Sequence, residues 1–171
     1  MGYKKLFIFV EGNDDANLFN KVLKPIIKYD EISIIQYSSW EIRKVNNYIN
    51  SINCMGADYI FIRDIDSTRC VTAKKEEIVN KWNKIEPGKI IIVVKEIESW
   101  YVAGLDLEKC NKLKIKNFPC TDELTKEQFL FTCKTTDSLE SLKAEIRKLF
   151  DVETAKQKNR SFKYFVEKYC R

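Results

Sequence analysis

Three short apolar runs, each closed by carboxylates, restrict this chain to few architectures. LFIFV at 6–10 meets Glu11, YIFIR at 59–63 meets Asp64 and Asp66, and IIIVVK at 90–95 meets Glu96 and Glu98. Runs of β-formers with no alternating polar positions belong to strands buried on both faces, as in parallel sheets covered by helices. Carboxylates at the ends of neighbouring parallel strands share the sheet edge where open α/β folds bind ligands.

The intervening segments carry a different period. From Asp14 to Lys28 the apolar residues Ala16, Leu18, Phe19, Val22, Leu23, Ile26 and Ile27 recur at helical spacing, and Gly12 marks the turn out of the strand. Glu31 to Tyr37 is a further strand. Helices are expected over Trp40–Ile52 and Ala73–Ile85, the latter ended by Pro87 and Gly88. After Lys89–Lys95, ESWYVA reads as a short helix. Four βα units predict an α/β fold, a Rossmann-like, mostly parallel four-stranded sheet flanked by helices with right-handed crossovers, over residues 1–106. Beyond Asp106 the strand signal stops, and Thr125–Cys133, Ser138–Phe150 and Ser161–Tyr169 read as helices. Residues 107–171 are therefore expected to form a helical extension packed on the same domain.

A chain of 171 residues suffices for one ordinary core. Its six cysteines include no C-x-x-C pair and it has no histidine, which argues against a structural zinc and removes Ser-His-Asp and Cys-His mechanisms. No stretch reaches the roughly twenty apolar residues of a membrane span, and the apolar start lacks a signal-peptide pattern. Reduced thiols in a cytoplasmic protein are the expectation. The net charge of +5 falls mostly beyond Glu98, which suits a polyanion and equally a solvated lysine-rich helix face.

Glu11 leaves a buried strand and needs a partner or water. Asp14 and Asp15 open the first helix, where they can hold a ligand or simply cap it. Asp64 and Asp66 are two apart, so an extended segment would turn both to one side and let them share a Mg²⁺ or Mn²⁺ ion through hard oxygen ligands. The competing reading is an Asp-Ser turn. Glu96 and Glu98 alternate in the same way after the next strand, as further metal or supporting ligands or as helix-opening acids. Trp100 reads as packing.

The hhhhEG pattern after the first strand, acidic residues opening the next helix and hhhhxDxDS after the third strand together resemble the Toprim domain. That domain occurs in topoisomerases, bacterial primases, overcoming-lysogenization-defect nucleases and small RNA-maturing nucleases. The likeness spans about Lys4 to Asp106. It implies Glu11 as general acid or base and Asp64 with Asp66 as Mg²⁺ ligands, and the acidic residue four after the glutamate in the nuclease branch matches Asp15. IESWYVAGLD and RSFKYFVEKY resemble small Toprim-related proteins associated with phage defence. Neither an ATPase domain nor a topoisomerase tyrosine segment accompanies these motifs.

The leading expectation is a metal-dependent nuclease cutting phosphodiester bonds of DNA or RNA. Carboxylates would hold Mg²⁺ or Mn²⁺, Glu11 would move the proton, and Lys95 would stabilise the negative charge of a phosphorane-like state. Lys156, Lys158, Arg160 and Lys163, with Lys168 and Arg171, would bind phosphates. One alternative is a non-catalytic Toprim-like module that binds nucleic acid or a protein partner. Another is a haloacid-dehalogenase-like phosphatase with Asp64 of DIDST as nucleophile, which leaves Glu11 idle. A receiver domain with Asp64 as phosphoacceptor fits less well, because its acidic pair would stand where this chain has Glu-Gly.

Overall fold

The computed structural model describes residues 3–132 and 138–170. The expected end of one helix at Cys133, and the phosphate contact assigned to Arg171, lie outside them. Two compact units emerge, Met1–Ile92 and Val93–Arg171.

The first unit is built on a parallel sheet. Strands β1 (Lys5–Val10), β2 (Glu31–Gln36), β3 (Asp58–Asp64) and β4 (Ile90–Val93) lie in the order β2-β1-β3-β4. Val10 stands opposite Gln36, and Phe9 opposite both Ile35 and Phe61. The apolar runs are buried as their composition requires, with Leu6, Ile8, Phe9 and Val10 fully enclosed. Phe7, Phe9, Tyr59, Phe61, Ile90 and Ile92 face Val45, Ile49, Ile52, Ile78 and Trp82 in one core. The order has a consequence for function. After β1 the chain moves to β2 on one side and returns to β3 on the other, so β1 and β3 flank a topological switch point, where a crevice opens beyond the strand ends.

Helix α1 (Asn13–Leu18) does not run on to Lys28 as its periodicity predicts. It widens into a π-helical turn at Phe19–Leu23 and tightens to a 3₁₀ turn at Lys24–Ile26. Pro25 is the cause, since it has no N–H and its ring collides with the carbonyl four residues back. Helix α2 (Ile42–Cys54) turns Val45, Ile49 and Ile52 to the sheet, and α3 (Val71–Lys81) buries Lys74 and Ile78.

The second unit is helical: α4 (Glu98–Ala103), α5 (Leu107–Leu113), α6 (Lys126–Thr132), α7 (Leu139–Leu149), α8 (Val152–Lys158) and α9 (Arg160–Tyr169). Trp100 is fully buried, donates to Ser161 Oγ (2.8 Å) and packs against Phe162 and Phe165. Among the described residues no helix is long and apolar enough to cross a membrane.

Candidate functional site

At the switch point the strand ends deliver charge. Glu11 follows β1 directly and Arg63 is the penultimate residue of β3. Arg63 Nη1 lies 2.8 Å from Glu11 Oε1 and donates to the Tyr37 hydroxyl (3.3 Å), while its Nη2 is 3.8 Å from Asp66 Oδ2. Its guanidinium also stands 5.9 Å from the Trp82 ring centre. Burial pushes the Glu11 carboxyl above its ordinary value, and the guanidinium only partly offsets this. A carboxyl raised in this way, inside a cleft, is more ready to carry a proton than an ordinary glutamate.

The cleft over these groups encloses about 700 Å³, within the usual size of a small-ligand site. Tyr37, Ser38 and Trp40 border it from the end of β2, Ile42 and Arg43 from the first turn of α2, and Lys81 and Trp82 from the end of α3. Arg43 and Lys81 are exposed, Trp40 is partly buried, and Tyr37 and Trp82 are enclosed in the core beneath.

The remaining acidic residues of this unit are arranged differently from their spacing. Strand β3 stops at Asp64, and Asp66 turns back with φ 51 while the Thr68 amide donates to the Ile65 carbonyl (3.1 Å). The segment is therefore not extended through Asp66, and the same-side argument for the two aspartates does not apply. Left-handed backbone is less costly at Asp than at most residues, which is why the turn forms there. Asp66 Oδ2 is 2.8 Å from Lys74 Nζ, a lysine whose side chain is only 3% exposed. Asp64 is half-buried, with its Oδ1 shielded from solvent. Asp15 Oδ2 accepts from the Gly12 amide (3.2 Å), closing a capping arrangement at α1, and Asp14 lies in the same first turn.

Carboxylate oxygens are the right donors for Mg²⁺ or Mn²⁺. The arrangement does not fit that ion: Glu11 is matched by Arg63 and Asp66 by Lys74, and among the described residues no three acidic or thiol groups form a metal-holding cluster. No chemical step is assigned to a metal here.

The other expected site residues belong to the second unit, and most of them have partners within it. Lys95, with φ 62, pairs with Glu123 (3.1 Å). Glu96 accepts from the Lys126 amide and so caps α6. Glu98 is 2.9 Å from Lys143 Nζ, with both side chains almost fully buried. Among the basic residues, Lys156 pairs with Glu153 (2.8 Å), Lys158 donates to the Leu105 carbonyl and to Asn117 Oδ1 (2.9 Å), and Arg160 Nε donates to Asp122 Oδ2 (2.6 Å). Lys163 and Lys168 are exposed.

Arg63, Trp40, Arg43, Lys81 and Lys74 were missed by sequence reasoning. Arg63 carried a signal, a charge ending an otherwise apolar strand. So did Lys74, which lies four residues before Ile78 on the buried side of α3. These features define a Rossmann-like α/β protein with a charged, aromatic-bordered cleft at its switch point, where Arg43, Arg63 and Lys81 stand with Glu11 and Glu41. No protein-family model matches the chain, and neither a curated protein nor a solved structure matches it.

Proposed function

We propose that this protein binds nucleic acid in the cleft beyond β1, β2 and β3 and hydrolyses a phosphodiester bond there. The observation that carries the reading is Glu11: a carboxyl with raised proton affinity, 2.8 Å from Arg63, in a cleft that also holds Arg43 and Lys81. Anionic phosphate is drawn by Arg43, Lys81 and Arg63, which outnumber the two carboxylates of the same cleft, Glu11 and the α2 cap Glu41. Arg63 is positioned to neutralise charge that develops on the phosphoryl oxygens, the class of interaction that contributes most in such reactions. Glu11 exchanges a proton with the attacking water or the departing oxygen. The Toprim resemblance supports the same assignment of Glu11; the Mg²⁺ or Mn²⁺ that it also implies on Asp64 and Asp66 is no part of this reading, because Asp66 is matched by Lys74.

The test is incubation of the purified chain with labelled single- and double-stranded DNA and RNA in Mg²⁺, Mn²⁺ or EDTA, beside Glu11→Gln and Asp64→Asn. Cutting is expected, and Glu11→Gln should slow it by about a hundredfold or more while binding persists. Cutting that survives both substitutions sinks the assignment. Binding without cutting points to a recognition module. Phosphate released from small phosphomonoesters, lost in Asp64→Asn and kept in Glu11→Gln, points to a phosphatase.

A further inference from the structure

The cleft borders on an indole that is held in place. Trp40 follows β2, where the Tyr37 amide donates to the Val10 carbonyl of β1 (3.0 Å) and the Trp40 amide to the Tyr37 carbonyl (2.8 Å), so Tyr37 is tied to the sheet and Trp40 to Tyr37 by a turn. Tyr48 meets the Trp40 ring edge-on with centres 5.4 Å apart, and Lys44 Nζ lies over one face of the ring, 4.1 Å from its centre, so a base has the opposite face to stack on. The indole is thus oriented before any ligand arrives, and a ligand does not have to order it.

We infer that the cleft takes an unpaired nucleotide, stacked on Trp40 with its flanking phosphates on Arg43 and Lys81, and that the protein selects single-stranded over double-stranded nucleic acid. This rests on the proposed nucleic-acid function and specifies its substrate. A duplex presents phosphates on a broad convex surface and keeps its bases stacked inside, so it can touch Arg43 and Lys81 while leaving a concave volume of about 700 Å³ and the indole unused. A splayed nucleotide fills both. Every base has a π-face, so stacking on tryptophan tolerates sequence and gives strand-state selectivity without base-edge readout. Ile42, 45% exposed and next to Arg43 in the first turn of α2, lines the same cleft and adds apolar surface for a base.

The experiment is equilibrium binding by fluorescence anisotropy in EDTA, which separates binding from cutting. The probes are a labelled single strand of about twelve nucleotides, its blunt duplex and the same strand with abasic residues. The single strand should bind about tenfold or more tighter than the duplex. Trp40→Ala should weaken single-strand binding by about tenfold and leave duplex binding unchanged, whereas Trp40→Phe should retain most of it. The abasic strand should bind the parent protein as poorly as the normal strand binds Trp40→Ala. Arg43→Ala should weaken all three probes and reduce the salt slope by about one.

Equal affinity for strand and duplex overturns the inference, as does an abasic strand that binds as tightly as the normal one. If Trp40→Ala does not fold, the abasic comparison on the parent protein decides alone. Duplex binding that matches strand binding and falls in Arg43→Ala overturns only the strand preference and leaves the proposed function standing. Absence of binding to every probe overturns both.

Discussion

Arg63 touches Tyr37, Glu11, Asp66 and the Trp82 face at once, and the next link, Asp66 to Lys74, ends in a buried ammonium. The two ends of that last link are unequal in solvation. Asp66 is 48% exposed, whereas Lys74 is 3% exposed and has Glu77 as a second carboxylate at 3.4 Å. Removing the lysine leaves a carboxylate that water can reach. Removing the aspartate strands most of a charge inside the protein, which costs more. Asp66→Asn, which keeps the left-handed turn and removes the charge, should therefore lose about 1–3 kcal/mol in urea unfolding, and Lys74→Met clearly less. The reverse order would show that Lys74 packs chiefly through its methylene stem and not through its charge.

At the scale of elements, α4 and α7 are joined by the Glu98–Lys143 pair, 2.9 Å apart, with the Lys143 ammonium also 5.6 Å from the Tyr101 ring centre. Both charges are nearly dry, so either one alone is a liability. Glu98→Leu or Lys143→Met should each cost about 3–5 kcal/mol by denaturant unfolding, and the double replacement should recover most of the loss. Simple addition of the two losses would mean the pair is not coupled. A second constraint sits at the end of α4. A Cβ at Gly104 would run into the Phe150 ring, so Gly104→Ala should destabilise by about 1–3 kcal/mol, with relief when Phe150 is also shortened to Leu.

The same elements explain what could be read in advance. Strands β1, β3 and β4 were legible because burial on both faces writes itself as an unbroken apolar run. Helices α5 and α8 were not: each buries a single small residue, Cys110 or Ala155, whereas the equally short α6 carries the apolar run Phe129-Leu130-Phe131. Their caps were the available sign: Asp106 accepts from the Lys109 amide (2.9 Å) and Asp151 from the Thr154 amide (2.7 Å). Glu96 and Glu98 looked like members of a site because strand-end position does not reveal which helix will approach. Lys126 and Lys143, thirty and forty-five residues on, claim them.

Across the first unit, the two ends of the sheet carry opposite electrostatics, and this gives pH profiles of opposite sign. At the amino end of β3, burial pushes the Asp58 carboxyl up, but hydrogen bonds from Lys89 and from the Tyr29 hydroxyl (2.7 Å) outweigh it and hold it below its ordinary value. Its contribution is complete above the pKa of an unfolded aspartate and is lost as pH falls through the lower folded value. At the carboxyl end Glu11 is raised, so its ionised form weakens the fold. That penalty is full above the raised value and vanishes below the range of an unfolded glutamate. Asp58→Asn should therefore lower stability by about 1–2 kcal/mol at neutral pH and approach the parent as pH falls below the ordinary aspartate range. Glu11→Gln should do the opposite, matching the parent below about pH 4 and exceeding it at neutral pH, since Arg63 keeps Tyr37 and Asp66 as partners. Thermal unfolding followed from acid to neutral pH distinguishes the two. If Glu11→Gln loses stability at neutral pH, the Arg63 pair outweighs burial, and Glu11 holds the fold together instead of being kept ready for proton transfer.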